Sequence, residues 1–407
     1  MNETPSPLGL YVHVPFCPAR CSHCAFAAFP YRPERVGLYL RSLAREMELA
    51  WGLLEERGKT ENGLTVYFGG GTPTVLREGE LGELLEMVLG FLRHRRISPL
   101  EVTVEANPET VTGEKLRLLR SWGVDRLSLG VQSFDLRLLR LLRRRHTGEE
   151  AVEAFREARK AGFLNISLDL LFGLPGQTLE GWRTDLLRAL DLYPEHLSAY
   201  WLEVEEETLL GYLAGRGRLP EPLPSEEEQA EMYFTALRLC ASAGYEHYEI
   251  SNFARPGWQC RHNLIYWHNG EYLGLGPSAH SRLGAFRWRN YPRLEPYHRA
   301  LGEGRLPVEG RECLDSLRDQ EDTVVLGLRL REGVGEDFFR KRHGLGLEEA
   351  FGPVLLELLA RGWLELSSGR LRLPEDLLPV AHQVLVHFVS PGRRQAPPTL
   401  DTAPLPF

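Results

Sequence analysis

Short apolar runs and amphipathic stretches alternate through the first half of the chain. Residues 8–14 read as a buried strand, and Val36, Leu40, Leu43, Met47, Ala50 and Leu54 then recur at spacings of four and three. That spacing is one face of a long helix. Residues 64–68 form a second apolar run, closed by Gly69-Gly70-Gly71-Thr72-Pro73, and Leu81, Leu84, Leu85, Val88 and Leu92 make the next helical stripe. Four more strand-like runs follow at 101–106, 126–131, 165–172 and 196–201, with helical stretches at 116–122, from Asp135, at 149–161 and at 179–190. Six strands alternating with helices predict an α/β fold with a parallel sheet and helices packed outside it. Six units are too few to close an eightfold barrel, so a partial (βα)6 barrel is expected, with its site at the carboxyl ends of the strands.

Beyond residue 205 the pattern changes. Residues 211–224 are rich in Gly and Pro and read as a linker, 225–243 as a helix, and 245–253 and 271–284 as strand and loop. From about Cys313 a smaller unit begins. Helices at 316–328, 335–342 and 347–361 precede Trp363-Leu-Glu-Leu and Arg370-Leu-Arg-Leu, joined by Ser-Ser-Gly. Helices followed by a hairpin predict a small α+β, winged-helix-like domain. The expected division is 1–205 for the barrel, 206–310 for an extension of it, 311–390 for the C-terminal module and 391–407 for a Pro-rich disordered tail.

A hydrophobic fraction of 43% and a charged fraction of 26% are ordinary for a globular chain of 407 residues. The net charge of −8 argues against a nucleic-acid partner. The first residues show no basic n-region, and no apolar run approaches the ~20 residues that span a bilayer. The expectation is a cytoplasmic protein without stable membrane insertion. Six cysteines, three of them in one loop, are no disulfide framework for this length and fit a reducing compartment.

Those three carry the strongest chemical signal. Cys17-Pro-Ala-Arg-Cys21-Ser-His-Cys24 follows directly on the first strand with the spacing C-x3-C-x2-C. Thiolates are the ligands of soft metals and iron–sulfur clusters. Three of them leave one iron of a four-iron cubane without a protein ligand, and an open position is where chemistry can occur. A zinc site would want a fourth ligand at a second paired spacing, and His23 lies inside the triplet. This loop resembles the cluster loop of radical S-adenosylmethionine (SAM) enzymes. Its context, Tyr11-Val-His-Val-Pro-Phe-Cys17, is similar to the branch that holds the oxygen-independent coproporphyrinogen III oxidases and the HemW haem chaperones.

The resemblance implies a [4Fe-4S] cluster on Cys17, Cys21 and Cys24, SAM on its open iron and an electron donor for the cluster. One electron would then break a carbon–sulfur bond of SAM. In such a barrel the turn with Gly70, Gly71 and Thr72 holds the amino group of the SAM methionine moiety. Glu105, Gln132 and Asp169 each place one polar side chain at a strand end among apolar neighbours, where burial is costly without a partner. By similarity these three, with Arg144 and Tyr11, contact SAM. Arg137, Arg140, Arg143 and Arg145 read as a solvated helix face.

Two features separate the branches. The oxidases extend the loop to C-x3-C-x2-C-x-C, whereas Phe26 stands at the fourth position here. His262-Asn-Leu-Ile-Tyr-Trp267 matches the H-N-x-x-Y-W signature of the HemW branch. An imidazole beside Tyr and Trp suits a flat, metal-bearing ligand, so His262 is the expected haem ligand, with Cys260 nearby as another candidate. His13, His146 and His280 are expected in structural roles, and Cys240 and Cys313 in packing. The implied function is that of a haem chaperone, with haem and acceptor haemoproteins as partners and a homodimer among the compatible assemblies. The alternative is a coproporphyrinogen III oxidase, which the missing fourth cysteine disfavours. A nucleic-acid-directed enzyme is disfavoured by charge.

Overall fold

The computed structural model describes residues 7–55 and 63–390, so the tail expected at 391–407 lies outside the described residues. Six strands, β1 (Leu8–Val14), β2 (Leu64–Gly70), β3 (Glu101–Ala106), β4 (Arg126–Gln132), β5 (Asn165–Phe172) and β6 (His196–Trp201), lie parallel and side by side in chain order. Their bounds follow the apolar runs of the sequence closely. Side chains alternate between the two faces of a strand, and here the two faces differ. Leu10, Val12, Val66, Phe68, Val102, Val104, Leu127, Leu129, Ile166, Leu168 and Leu197 form the apolar set, all buried.

The alternate positions form a polar set. Tyr11 is level with Tyr67, Glu105 with Ser128, Gly130 with Asp169, and Asp169 with Ser198. Several of the outer helices start on a Thr or Ser that bonds back into the first turn. Thr112, Thr147, Thr178 and Ser225 each accept from a backbone N–H three residues on. Such caps contribute about 0.5–2 kcal/mol each and fix where each helix leaves the sheet.

The sheet runs on past both edges to twelve strands. Tyr272–Leu275 pairs parallel with β1, and His280–Leu283, Phe286–Asn290 and Val308–Cys313 continue antiparallel from it. At the other edge Asn252–Ala254 pairs antiparallel with β6, followed by Glu246–Glu249. The boundary expected at 310/311 therefore falls inside a strand: Val308–Cys313 belongs to the large sheet. Cys313 is exposed rather than packed, whereas Cys240 is buried in the core.

The short helix Arg261–Trp267 lies across the amino ends of the barrel strands. Glu101, the first residue of β3, accepts from the backbone N–H groups of Arg261 (3.0 Å) and His262 (3.1 Å) and holds the helix there. The C-terminal unit contains helices Ser316–Gly327, Glu336–His343 and Leu347–Ala360. Its sheet places Arg370–Arg372 between Val334–Gly335 and Glu365–Ser367, the strand order of a winged helix. Among the described residues no helix is long and apolar enough to cross a membrane.

Candidate functional site

The carboxyl ends of the six strands surround a cavity of about 390 Å³. Cys17, Cys21, Cys24, Gly70, Gly71, Thr72, Glu105, Gln132, Arg144 and Asp169 all line it. Residues spread over more than 150 positions of sequence thus meet at one end of the barrel.

The cysteine loop is fastened to the glycine turn by backbone bonds. The N–H of Gly71 donates to Val14 O (2.9 Å) and that of Thr72 to Phe16 O (2.8 Å). A Cβ on Gly71 would lie 2.6 Å from Phe16 O, so only glycine lets the two segments approach this closely. Gly70 has φ of +104°, and its N–H donates to Glu105 Oε2 at 3.1 Å. Tyr67 donates its hydroxyl to the other oxygen, Oε1, at 2.9 Å. Burial, reinforced by the Asp169 carboxylate, pushes Glu105 up to about 7. A cation arriving beside it would restore the carboxylate.

Asp169 is held by three hydroxyls, Ser128 at 2.9 Å on Oδ2, with Ser167 at 3.0 Å and Ser198 at 2.7 Å on Oδ1. Gln132 sits at a register shift between β4 and β5 with φ of +66°, a region non-glycine residues seldom occupy. Such local strain concentrates at ligand sites.

One residue passed over in the sequence ties the walls together. Asn107 donates from Nδ2 to Thr72 Oγ1 at 2.9 Å and accepts on Oδ1 from Arg144 Nη2 at 2.7 Å. Thr72 Oγ1 lies 3.6 Å from Cys17 Sγ, and Arg144 Nη1 donates to Cys21 Sγ at 3.7 Å. A continuous polar chain therefore runs from one cysteine through Thr72, Asn107 and Arg144 to the next. The only sequence signal was its place, directly after a strand and before a proline. Arg143 and Arg145, read as solvated, also line the cavity.

Two expected residues stand elsewhere. Tyr11 is not on the cavity wall; its hydroxyl is 3.1 Å from His13 Nδ1, behind Tyr67. His262 lies at the opposite end of the barrel. Its Nδ1 is 2.8 Å from Thr65 Oγ1, and its Nε2 is 2.9 Å from Tyr266 OH. Thr65 is five residues before Gly70 on β2, so His262 is roughly 16 Å below the turn. Burial, together with Arg126, pushes its imidazole down to about 3. A neutral ring with both nitrogens engaged and 1% exposure offers nothing to a haem iron in this arrangement. Cys260 is likewise fully buried, 3.5 Å from Glu101. His13 and His146 are hydrogen-bonded through both nitrogens, as structural histidines are.

The residues present fit a cluster and a polar cofactor. Cys17, Cys21 and Cys24 are free thiols, and burial pushes Cys17 up to about 11, so cluster assembly must displace protons. Arg144 Nε and His23 Nδ1 are buried at the same cavity without a hydrogen-bond partner. Among the described residues no group of three His, Cys, Asp or Glu side chains could hold a single metal ion. Cluster ligands bind one iron each and need not converge on one point.

Comparison with known proteins agrees with this geometry. The Radical SAM superfamily profile matches residues 11–188, and the HemN C-terminal domain profile matches residues 318–376. The solved coproporphyrinogen III oxidase (HemN) from Escherichia coli, a radical SAM enzyme, has TM-score 0.78 at 22% identity. The match covers 95% of this chain and 90% of that one and shows a shared fold. Heme chaperone HemW of Bacillus subtilis is 38% identical over 380 residues, 93% of this chain and 98% of that protein. Radical S-adenosyl methionine domain-containing protein 1, mitochondrial, of Mus musculus is 36% identical, covering 95% and 89%. With identity at this level across nearly the whole of both proteins, the chain belongs to the HemW family of the radical SAM superfamily.

Proposed function

We propose that this protein binds haem and passes it to acceptor haemoproteins, and that its upper cavity holds a [4Fe-4S] cluster and SAM. The observation that carries the reading is the cysteine loop itself, set in a chain 38% identical to a protein named heme chaperone HemW. Three cysteines line the cavity, and Phe26, 67% exposed, stands where the oxidases place a fourth.

Cys17, Cys21 and Cys24 would hold the cluster, and the turn at Gly70–Thr72 with Glu105 would receive the amino group of SAM. When bound, the reduced cluster and SAM supply one-electron chemistry that no side chain offers. The chain's own part is to orient and to exclude water. Glu105 balances a cation, Asp169 presents a fixed carboxylate, and Asn107 with Arg144 keeps the two cysteine-bearing ends of the loop in register. Gln132 and Tyr200 complete the wall.

The test is transfer. Haem-loaded protein is mixed with a purified haem-free acceptor haemoprotein, and the acceptor's Soret band is followed after the two are separated. Appearance of holo-acceptor faster than from free haem at the same concentration supports the reading. Haem retained by the donor, or delivered no faster than free haem, counts against it.

A further inference from the structure

His196 does not line the upper cavity, yet a run of hydrogen bonds inside the barrel joins it to Asp169, which does. Alternation puts Ser167 and Asp169 on the inner face of β5, and His196 and Ser198 on the inner face of β6. Register sets Ser167 level with His196 and Asp169 level with Ser198. Three serine hydroxyls donate to the Asp169 carboxylate, Ser128 to Oδ2 and both Ser167 and Ser198 to Oδ1. A carboxylate has about four lone-pair positions, so this cradle fills Oδ1 and leaves one acceptor position open on Oδ2.

The donors behind the cradle follow from what each group has to give. Ser167 has one hydroxyl proton, and it goes to Asp169. His196 Nδ1, 2.8 Å from Ser167 Oγ, is therefore the donor of that bond. Burial, with the Arg126 guanidinium nearby, pushes the imidazole well below its ordinary range, so the ring is neutral and its Nε2 accepts. Tyr248, on the strand Glu246–Glu249, donates its hydroxyl to Nε2 at 2.9 Å. Each proton along Tyr248, His196 and Ser167 thus points toward Asp169. Ser167 and His196 are fully buried and Tyr248 nearly so, which keeps bulk water from competing for these bonds.

Without the Nδ1 donor, Ser167 can turn its proton elsewhere, and Oδ1 loses one of its two anchors. We propose that His196 is a positioning residue for SAM: through Ser167 it fixes the Asp169 carboxylate so that the open position on Oδ2 meets a ligand hydroxyl. This inference rests on the SAM reading of the upper cavity and adds the group that orients its carboxylate.

The test measures SAM affinity by calorimetry on anaerobic, cluster-reconstituted protein. His196→Leu is expected to raise the Kd about 5- to 10-fold. His196→Asn, whose Nδ2 stands in for the Nδ1 donor, should recover most of that loss. In an Asp169→Asn background His196→Leu should add less than about 2-fold, because the group it acts through is already changed. Tyr248→Phe removes a single hydroxyl and covers the case in which His196→Leu does not fold; it is expected to raise the Kd about 2- to 3-fold. Parent-like affinity in the variant that folds, a loss that His196→Asn leaves in full, or a loss that adds fully to that of Asp169→Asn overturns the inference and leaves the SAM reading standing. If the parent protein binds no SAM, that reading falls, and the inference with it.

Discussion

If Glu105 receives SAM as proposed, its surroundings set the direction in which SAM binding depends on pH. Its carboxyl accepts from Tyr67 and from Gly70 N–H, but burial and Asp169 still push it up to about 7. A group with that pKa is about 10% ionised at pH 6 and about 90% at pH 8. An amino cation of SAM seated at the glycine turn, as proposed, would pair only with the ionised form. Binding must therefore expel the proton, and the affinity should fall about tenfold between pH 8 and pH 6. Close to one proton, about 0.9, should be released per SAM at pH 6, and about 0.1 at pH 8.

In the ligand-free chain the sign reverses. Stability contributed by neutral Glu105 is fully present below about 4.5 and is lost as pH rises through 7. Glu105→Gln should then bind SAM weakly at every pH, with the pH slope gone. The assay is calorimetric titration of SAM into cluster-reconstituted protein, in buffers of different ionisation enthalpy, at pH 6, 7 and 8. Equal affinity at pH 6 and 8 with no proton released would refute the reasoning.

Three further outcomes follow from distances at the site and in the core. Asn107→Ala removes one neutral hydrogen bond and one to a guanidinium, together about 2–4 kcal/mol. Anaerobic cluster loading and SAM affinity should both drop, and Asn107→Asp should recover part of the loss by keeping Arg144. Parent-like values for both would show that the Asn107 bridge is idle. Gly71→Ala forces a Cβ to 2.6 Å from Phe16 O and should cost about 1–3 kcal/mol in denaturant unfolding, with poorer cluster retention. Glu46, buried in the outer layer, accepts from Tyr297 OH, Gly276 N–H and Asn290 Nδ2. Glu46→Ala strands those donors and should lower stability by about 2–5 kcal/mol without altering the upper cavity, as measured by unfolding and SAM titration side by side.

The barrel was legible because its signals are local. Aliphatic alternation in 101–106 or 165–172 marks a buried strand wherever that strand ends up, and apolar residues at spacings of three and four mark the helices between. Polar residues at strand ends, Glu105 and Asp169 among them, could be gathered at one mouth by counting strands. What escaped depends on distant partners. Tyr272–Leu275 is four residues long and gains its place from β1, some 260 residues earlier. The last strand of the large sheet, Val308–Cys313, reads no differently from the start of the next module. His262 carries a functional signature in sequence, but its neighbours Thr65 and Glu101 come from other strands and close it off. Asn107 shows its role only once Thr72 and Arg144 are beside it.

The measurement that bears most directly on the central claim is anaerobic and compares two ligands on one preparation. Protein with its cluster reconstituted is titrated with haem, and a parallel sample receives coproporphyrinogen III with SAM and a reductant. The expected result is saturable haem binding and no decarboxylated product. Conversion of coproporphyrinogen III to protoporphyrinogen IX, without haem binding, would contradict it and make the protein an oxidase despite Phe26.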